Sequence, residues 1–188
     1  MQNNLFIISG PSGAGEDSII QGLIKNGVIL ERVITSTSRN MRSGEVNGNP
    51  YYFLSREDFK KKIDNSEFFE WAKEYNNNYY GVTNDEIKRV ERCGKVGIWK
   101  IGYKGVRTAK KLLPDIKAIL INAPLIQIEA RIRARDKGVS DEYIAERMMY
   151  TKEWLEYKYL YDYEVVNSNG NLDKSIQAVM EILDVKKT

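Results

Sequence analysis

Residues 10–18 read Gly-Pro-Ser-Gly-Ala-Gly-Glu-Asp-Ser, and this glycine-rich run constrains the fold more than any other part of the chain. An apolar segment, Leu5–Ser9, precedes it, and apolar residues with helical spacing follow from Ser18 to Leu23. A glycine loop between a strand and a helix has the spacing of a P-loop, whose backbone N–H groups surround phosphate oxygens. A simple tight turn beside a buried strand is the alternative interpretation. The candidate phosphate-binding residues are Gly10, Ser12, Gly13, Gly15, Glu16, Asp17 and Ser18.

The loop carries glutamate at the position where a P-loop has its lysine. At about 4 Å and an effective dielectric of about 20, two unit charges interact by about 4 kcal/mol, and Glu16 turns this attraction for phosphate into repulsion. We therefore expect ATP to bind poorly in this loop. Asp17 follows Glu16, and carboxylates at a helix N-terminus are either favoured by the helix dipole or available to a divalent metal. If they cap the helix themselves, they occupy N–H groups that a phosphate needs.

Composition removes several classes of enzyme. The 188 residues contain no histidine and one cysteine, Cys93, which excludes Ser-His-Asp hydrolysis, histidine-based zinc sites and an intramolecular disulfide. The net charge of +3 does not call for a nucleic-acid partner, and the lysine clusters 60–62 and 110–111 are typical of solvated helix faces. No apolar run reaches the roughly 20 residues of a membrane span, and the N-terminus lacks a secretory signal pattern. We expect a cytoplasmic protein with no membrane partner.

The pattern of apolar segments predicts an α/β fold. β-rich segments at 5–9, 97–101, 116–121 and 163–167 alternate with helical segments at 17–25, 106–113, 125–134 and 172–185. This alternation is typical of a parallel sheet covered by helices. The segment from about 33 to 80 differs, with turns, aromatic strands and a helix near 56–64, which indicates an inserted small domain. The arginine-rich segment 131–147 suits a mobile cover, and its last helix is expected to be capped by Ser140.

Several groups of residues outside the loop also recur in a known family in the same order and spacing. They are Thr35-Ser36-Thr37-Ser38-Arg39, Arg42, Gly44-Glu45-Val46-Asn47-Gly48, Tyr51, Phe68-Phe69-Glu70-Trp71-Ala72, Tyr79-Tyr80-Gly81, Arg131, Arg135, Arg147 and Val165-Val166-Asn167. With these groups the chain resembles the guanylate kinase family over nearly its entire length. The stretch from Ser36 to Trp71 is far more specific than a P-loop alone.

The resemblance implies a P-loop nucleoside monophosphate kinase fold with three parts. The core would comprise residues 1–33 and 85–188, with a helical lid at about 129–150, and the GMP-binding domain would comprise residues 34–84. The family transfers phosphate from ATP to GMP or dGMP, with Mg²⁺ as the cofactor. These activities are expectations for the present chain.

The resemblance also assigns roles to individual residues. Thr35, Arg39, Arg42, Tyr51 and Tyr80 would form the GMP-phosphate clamp, in which the arginines offer planar, always-charged forks and the tyrosines donate hydrogen bonds. Glu70 would accept from the guanine N1–H and exocyclic amine, a pair of donors that adenine lacks. Arg131, Arg135 and Arg147 would be the catalytic lid arginines, and Asn167 would approach the donor adenine. Asp136 stands where the family commonly has glycine, so we expect a stiffer hinge.

The chain departs from the family pattern at a second place besides the loop. The Asp-x-Asp at the end of a core strand is replaced by Lys100-Ile101-Gly102, so Gly102 leaves Glu70 with less help in holding guanine. Because the loop has become acidic where this strand end has become basic, we hypothesise that Glu16 and Lys100 form a swapped ion pair. Such a pair would plug the donor site, or Lys100 would serve as the substitute cation for phosphate. Neutral drift after loss of activity is the alternative explanation.

Three functions remain open from the sequence. The chain is a slow guanylate kinase-like phosphotransferase, a catalytically inactive module that binds a guanine nucleotide or a phosphopeptide, or an enzyme with a different chemistry on the same base. A retained acceptor site with a changed donor loop favours GMP binding with impaired kinase activity.

Overall fold

The computed structural model describes residues 4–42, 44–74 and 77–185, which divide into two compact units. Unit 1 contains the described residues up to Leu5 together with Leu30–Ile116. Unit 2 contains Phe6–Ile29 and the described residues from Lys117 onward. Unit 2 contains the predicted P-loop and lid residues, and unit 1 contains the predicted residues of the GMP clamp.

Most strands are short, and the four strand segments predicted with bounds lie close to observed strands. The strands are β1 (Leu5–Ser9), β2 (Leu30–Arg32), β3 (Thr35–Thr37), β4 (Val46–Asn47), β5 (Pro50–Phe53), β6 (Phe68–Lys73), β7 (Tyr79–Thr83), β8 (Val96–Lys100), β9 (Lys117–Asn122) and β10 (Tyr163–Val166). The predicted first strand has the observed bounds, and the other predicted strands are displaced by a residue or so at their ends.

The helices likewise follow the predicted pattern. They are α1 (Glu16–Lys25), α2 (Arg56–Asp64), α3 (Asn84–Arg92), α4 (Tyr103–Leu112), α5 (Leu125–Arg135), α6 (Asp141–Glu156) and α7 (Leu172–Ile182), with a 3-10 turn at Lys158–Leu160. The predicted N-cap of α6 is confirmed, since the Ser140 hydroxyl accepts from the Tyr143 N–H at 3.3 Å. Helix α3 was not predicted, and it begins after Thr83, whose hydroxyl accepts from the Glu86 N–H at 3.3 Å.

Unit 2 has a parallel sheet at its centre. Strand β9 lies between β10 and β1 and pairs in parallel with both. Ile7 and Ile8 of β1 and Ile119–Ile121 of β9 are fully buried, as expected for parallel strands covered on both faces. Helices α1 and α7 pack against each other, and Gly22 makes this possible because a Cβ there would overlap Ile176. This arrangement of parallel strands and helices confirms the α/β prediction.

Unit 1 contains a mixed sheet in the order β4-β5-β3-β7-β6 and a parallel pair of β2 with β8. Strand β3 pairs in parallel with β5 and antiparallel with β7, which pairs antiparallel with β6. Helix α2 covers this sheet through Phe59, which is fully buried and stacks on Phe68 with ring centroids 4.3 Å apart. The pairing of β6 with β7 is irregular between Phe68 and Glu70. A bulge of this kind changes the direction of the side chains that follow it.

Candidate functional site

The glycine loop of unit 2 joins β1 to α1 with the backbone geometry of a close turn. Gly13 and Gly15 have φ values of 91° and 104°, a left-handed region that side chains rarely adopt. A Cβ at Gly10 would overlap the Ile121 carbonyl, so the loop lies directly against β9. The Ala14 N–H donates to the Pro11 carbonyl at 3.0 Å. Strand, loop and helix therefore follow each other as the P-loop interpretation predicted.

Glu16 turns back onto the loop that precedes it. The Gly15 N–H donates to the Glu16 Oε2 at 3.1 Å, and α1 begins at Glu16 itself. Asp17 and Ser18 are exposed on the first turn of this helix. The carboxylate thus accepts from a backbone N–H of the kind that a P-loop offers to phosphate, as the self-capping interpretation predicted.

Arg131 and Asn167 hold the loop from its carbonyl side. Arg131 Nη1 donates to the carbonyls of Gly13 and Ala14 at 3.1 and 3.2 Å, and Nη2 donates to the Asn167 carbonyl at 2.8 Å. The buried Asn167 amide donates to the same Ala14 carbonyl at 2.8 Å. Asn169 Oδ1 accepts from Arg131 Nη2 at 2.8 Å. In this structure, Arg131 and Asn167 support the loop backbone, and their predicted roles toward ATP stay predictions.

Asp136 contacts the other two arginines of the predicted lid, Arg135 and Arg147. Its carboxylate accepts from Arg135 Nε and Nη2 at 2.8 and 2.9 Å, lies 3.6 Å from Arg147 Nη2, and accepts from the Tyr143 hydroxyl at 3.1 Å. The Arg135 guanidinium holds the pKa of Asp136 at about 2. Arg135 Nη2 also donates to the Ser12 hydroxyl in the loop at 3.0 Å, and the Arg147 guanidinium lies 5.3 Å from the Tyr143 ring centroid. Unit 2 therefore brings the loop and the lid arginines together.

The clamp residues of unit 1 surround a carboxylate. Arg39 donates from Nη1 and Nη2 to the two oxygens of Glu45, both at 2.8 Å, and the Arg42 N–H donates to Glu45 Oε2 at 2.7 Å. The Arg39 guanidinium holds the pKa of Glu45 at about 2, so this carboxylate is ionised at neutral pH. The Arg42 residue is exposed, whereas Arg39 is mostly buried.

Aromatic residues form the wall of the clamp. Register places Thr35 opposite Tyr51 and Thr37 opposite Tyr80. The rings of Tyr51 and Tyr80 meet edge to face with centroids 6.1 Å apart, and the Arg39 guanidinium lies 5.3 Å from the Tyr51 ring centroid. Unit 1 thus places Thr35, Tyr51 and Tyr80 on neighbouring strands, with Arg39 two residues beyond the end of β3.

Glu70 lies on β6 with its carboxyl group buried. The residue is 4 % exposed, and none of the described residues donates a hydrogen bond to its carboxylate. Burial, with a smaller effect of Glu74, raises the pKa of Glu70 to about 8. A Cβ at Gly105 would lie 2.8 Å from Glu70 Oε1, so α4 leaves room for this carboxyl group only because residue 105 is glycine. A buried acceptor of this kind is costly unless a ligand supplies the donors.

The segment Lys100–Gly102, which replaces the Asp-x-Asp of the family pattern, lies in unit 1. Lys100 ends β8, and Gly102 is the N-cap of α4 with no side-chain cap. Lys104 Nζ donates to the Lys73 carbonyl at 3.3 Å. Glu16 belongs to unit 2, and its pairing with Lys100 stays a prediction.

Glu45 and Asp136 were given no binding or catalytic role from the sequence, although Glu45 lies in a stretch shared with the family and Asp136 was noted as a hinge substitution. Each is an acidic residue within a few positions of two predicted arginines, and this proximity in sequence is the signal that could have identified them. Among the described residues, no group of three or more His, Cys, Asp or Glu is placed to hold a metal ion. Of the helices described, none is long and apolar enough to cross a membrane.

Comparisons with known proteins agree with this geometry. A family profile described as guanylate kinase matches residues 2–186. The chain belongs to the guanylate kinase family. The guanylate kinase of Idiomarina loihiensis is 37 % identical over 171 residues, covering 89 % of this chain and 80 % of that relative. The guanylate kinase of Haemophilus influenzae is 34 % identical over 189 residues, covering 99 % of this chain and 89 % of that relative.

Solved structures show the same fold. The crystal structure of guanylate kinase from Anaplasma phagocytophilum has a TM-score of 0.72 with 22 % identity, covering 98 % of this chain and 86 % of that one. The recognition of the guanylate kinase family from the sequence, and the α/β fold that follows from it, are confirmed.

Proposed function

We propose that this guanylate kinase family member binds GMP or dGMP through unit 1 and transfers phosphate from ATP only slowly. The proposed GMP binding is supported by the clamp of arginines and tyrosines around β3, β5 and β7, and by the buried Glu70 carboxyl group. Arginine forks suit a monophosphate, and an ionised carboxylate suits the two donors of a guanine edge. Both groups that we assign to GMP recognition lie in unit 1.

The proposal that phosphate transfer from ATP is slow rests on the hydrogen bond from the Gly15 N–H to Glu16 at 3.1 Å. The residue that replaces the lysine takes a loop donor for itself and adds a negative charge where phosphate would lie. Catalysis in this class is almost entirely positioning and electrostatic stabilisation of the transferring phosphate. A negative charge in the loop therefore opposes the main contribution to the rate.

Mg²⁺ in such enzymes is held by nucleotide phosphates and by one or two carboxylates. The described residues offer no preformed cluster for it, but the exposed Asp17 on the first turn of α1 would supply a suitable oxygen. The bound ion would neutralise phosphate charge. Its binding here would therefore depend on ATP, and ATP itself is a doubtful ligand of this loop.

Paired calorimetry tests this proposal. We expect GMP to bind and ATP with Mg²⁺ to bind weakly or not at all to the unmodified protein. Equal, tight binding of both nucleotides would remove the proposed impairment, and absence of GMP binding would remove the acceptor site.

A coupled ADP-release assay then measures turnover. Glu16→Lys should raise turnover by about a hundredfold, the size of effect typical of one stabilising group at a transferring centre. The matched variant Glu16→Gln removes the negative charge without adding a cation, so it should recover only part of that gain.

A catalytically inactive binding module is the second candidate. It is favoured by the clamp, because the hydrogen bonds of Arg39 and Arg42 with Glu45 lie within unit 1. Such a clamp also suits the phosphate of a phosphopeptide. Displacement of GMP by a phosphoserine peptide, with no turnover in any Glu16 variant, would favour this function over the kinase.

We also propose the domain assignment derived from the family, with residues 34–84 as the GMP-binding domain and residues 1–33 and 85–188 as the core. The absence of a membrane or nucleic-acid partner and the cytoplasmic location remain expectations. The small net charge and the single cysteine support them.

A further inference from the structure

We infer that Glu45 is a positioning residue, which fixes the Arg39 guanidinium and the Arg42 backbone so that the clamp is already arranged for a monophosphate. This inference rests on the proposed GMP site and adds a residue to it. It is carried by the geometry around the Glu45 carboxylate.

Glu45 occupies only one edge of the Arg39 guanidinium. The terminal Nη1 and Nη2 atoms donate to Glu45 at 2.8 Å each, and Nη1 also donates to the Asn40 carbonyl at 2.7 Å. The other edge, formed by Nε and the second N–H of Nη2, has no acceptor among the described residues. That edge is a planar pair of donors, the arrangement that binds two phosphate oxygens at once.

Packing against aromatic rings also restrains the Arg39 side chain. The Arg39 guanidinium lies 5.3 Å from the ring centroids of both Tyr51 and Phe53, and the side chains of Arg39 and Glu45 are 12 % and 17 % exposed. A long side chain held in this way has already lost its rotamer freedom before a ligand arrives. Binding then costs less conformational entropy.

Glu45 also sets the path of the chain around Arg42. Its Oε2 accepts from the Arg42 N–H at 2.7 Å, and the Glu45 N–H donates to the Arg42 carbonyl at 3.1 Å. One acidic residue is therefore bonded to both arginines of the clamp. Arg42 contributes a backbone N–H rather than its guanidinium to this carboxylate, so two arginine charges stand against one acidic charge and the clamp keeps a net positive charge for phosphate.

The test compares GMP with guanosine, because their affinity ratio isolates the contribution of the phosphate. In Glu45→Gln we expect the guanosine affinity to be unchanged and the GMP affinity to fall about tenfold. Glu31→Gln is the matched control, since Glu31 pairs with Arg89 at 2.6 Å in the same unit and is outside the clamp. It should leave both affinities unchanged.

Other results would overturn the inference. An unchanged ratio in Glu45→Gln, or an equal loss for both ligands, would assign Glu45 a purely structural role. Tighter GMP binding would make Glu45 a competitor of phosphate. If Glu45→Gln shows no cooperative thermal transition, Glu45→Asp is measured instead, and its ratio should fall by a smaller factor. Failure of the unmodified protein to bind GMP would overturn the proposed function and this inference together.

Discussion

Glu70 is the residue whose chemistry depends most on its surroundings. It is a carboxyl group on a strand between the aromatic residues Phe69 and Trp71, where burial without a donor is costly. The structure buries it without a donor from the described residues, and its pKa rises to about 8. At neutral pH the ligand-free protein therefore carries Glu70 mainly in the protonated form.

This protonation predicts a pH dependence of stability. The ordinary pKa of 4.5 applies to the unfolded chain and about 8 to the folded one, so between these values the folded state binds more protons. The free energy of unfolding should therefore fall as pH rises from about 5 to about 8, with a slope of up to about 1.4 kcal/mol per pH unit from this group. Urea denaturation across this range measures the slope. Glu70→Gln should flatten it, and identical curves for the two proteins would contradict the prediction.

The same group predicts proton release on GMP binding. A guanine edge offers two donors and stabilises the ionised carboxylate, so the pKa of Glu70 should fall in the complex. At pH 7 we expect about one proton released for each GMP bound. Calorimetry in two buffers with different ionisation enthalpies detects the proton. Glu70→Gln should show no release, and the prediction fails if its signal matches that of the unmodified protein.

Among the elements, those with strong periodicity were predicted well. The buried run Leu5–Ser9 and the capped helix Arg56–Asp64 have the expected bounds, because local pattern alone determines them. Helix α3 was overlooked although Thr83 and Glu86 have the spacing of a capping box. The irregular pairing of β6, which decides where Glu70 points, depends on the partner strand and has no local signal.

The glycine loop predicts a steric cost at Gly15. This residue has φ of 104°, and a Cβ would overlap the Asn167 amide that supports Ala14. Gly15→Ala should lower the free energy of unfolding by about 2 kcal/mol or more, measured by urea denaturation. Gly138→Ala is the control, because Gly138 has φ of 78° with no described atom within 4 Å of a Cβ, and so reports backbone strain alone. Equal losses in the two variants would show that the contact with Asn167 contributes nothing.

The lid predicts a kinetic role for Asp136. Asp136→Asn removes the charge that holds Arg135 and Arg147, so we expect turnover to fall about tenfold while the KM for GMP is unchanged. The coupled assay measures both, in the Glu16→Lys background if the unmodified protein is too slow. Asp141→Asn changes the same residue type in the exposed pair with Arg133 and should have no effect. Undiminished turnover in Asp136→Asn would contradict the prediction.

For the whole molecule, the sequence indicated both halves of the candidate site but assigned no contact to Glu45 and Asp136. The arginines, tyrosines and Glu70 were recognisable because their types and spacing recur together in the family. Glu45 and Asp136 act through contacts with those residues, and a contact within a folded unit leaves only a weak trace in spacing. The charge reversals at Glu16 and Lys100 were visible in the sequence, and their consequence for stability is a separate prediction.

A double-mutant cycle tests the swapped ion pair. If the two side chains pair, Glu16→Lys alone should destabilise the protein, and Glu16→Lys with Lys100→Glu should recover at least half of the loss, measured as the free energy of unfolding. Additive effects, or a single variant as stable as the unmodified protein, would favour neutral drift.

The support that Arg131 and Asn167 give to the loop carbonyls has a historical consequence. Arg131 and Asn167 maintain the shape of the loop, whereas its charge depends on a different residue, Glu16. A single base change converts a lysine codon into a glutamate codon, and a lineage that made this change would have kept an intact cradle around an altered chemistry. The reverse change is equally short, so the lysine of the P-loop pattern lies one nucleotide away.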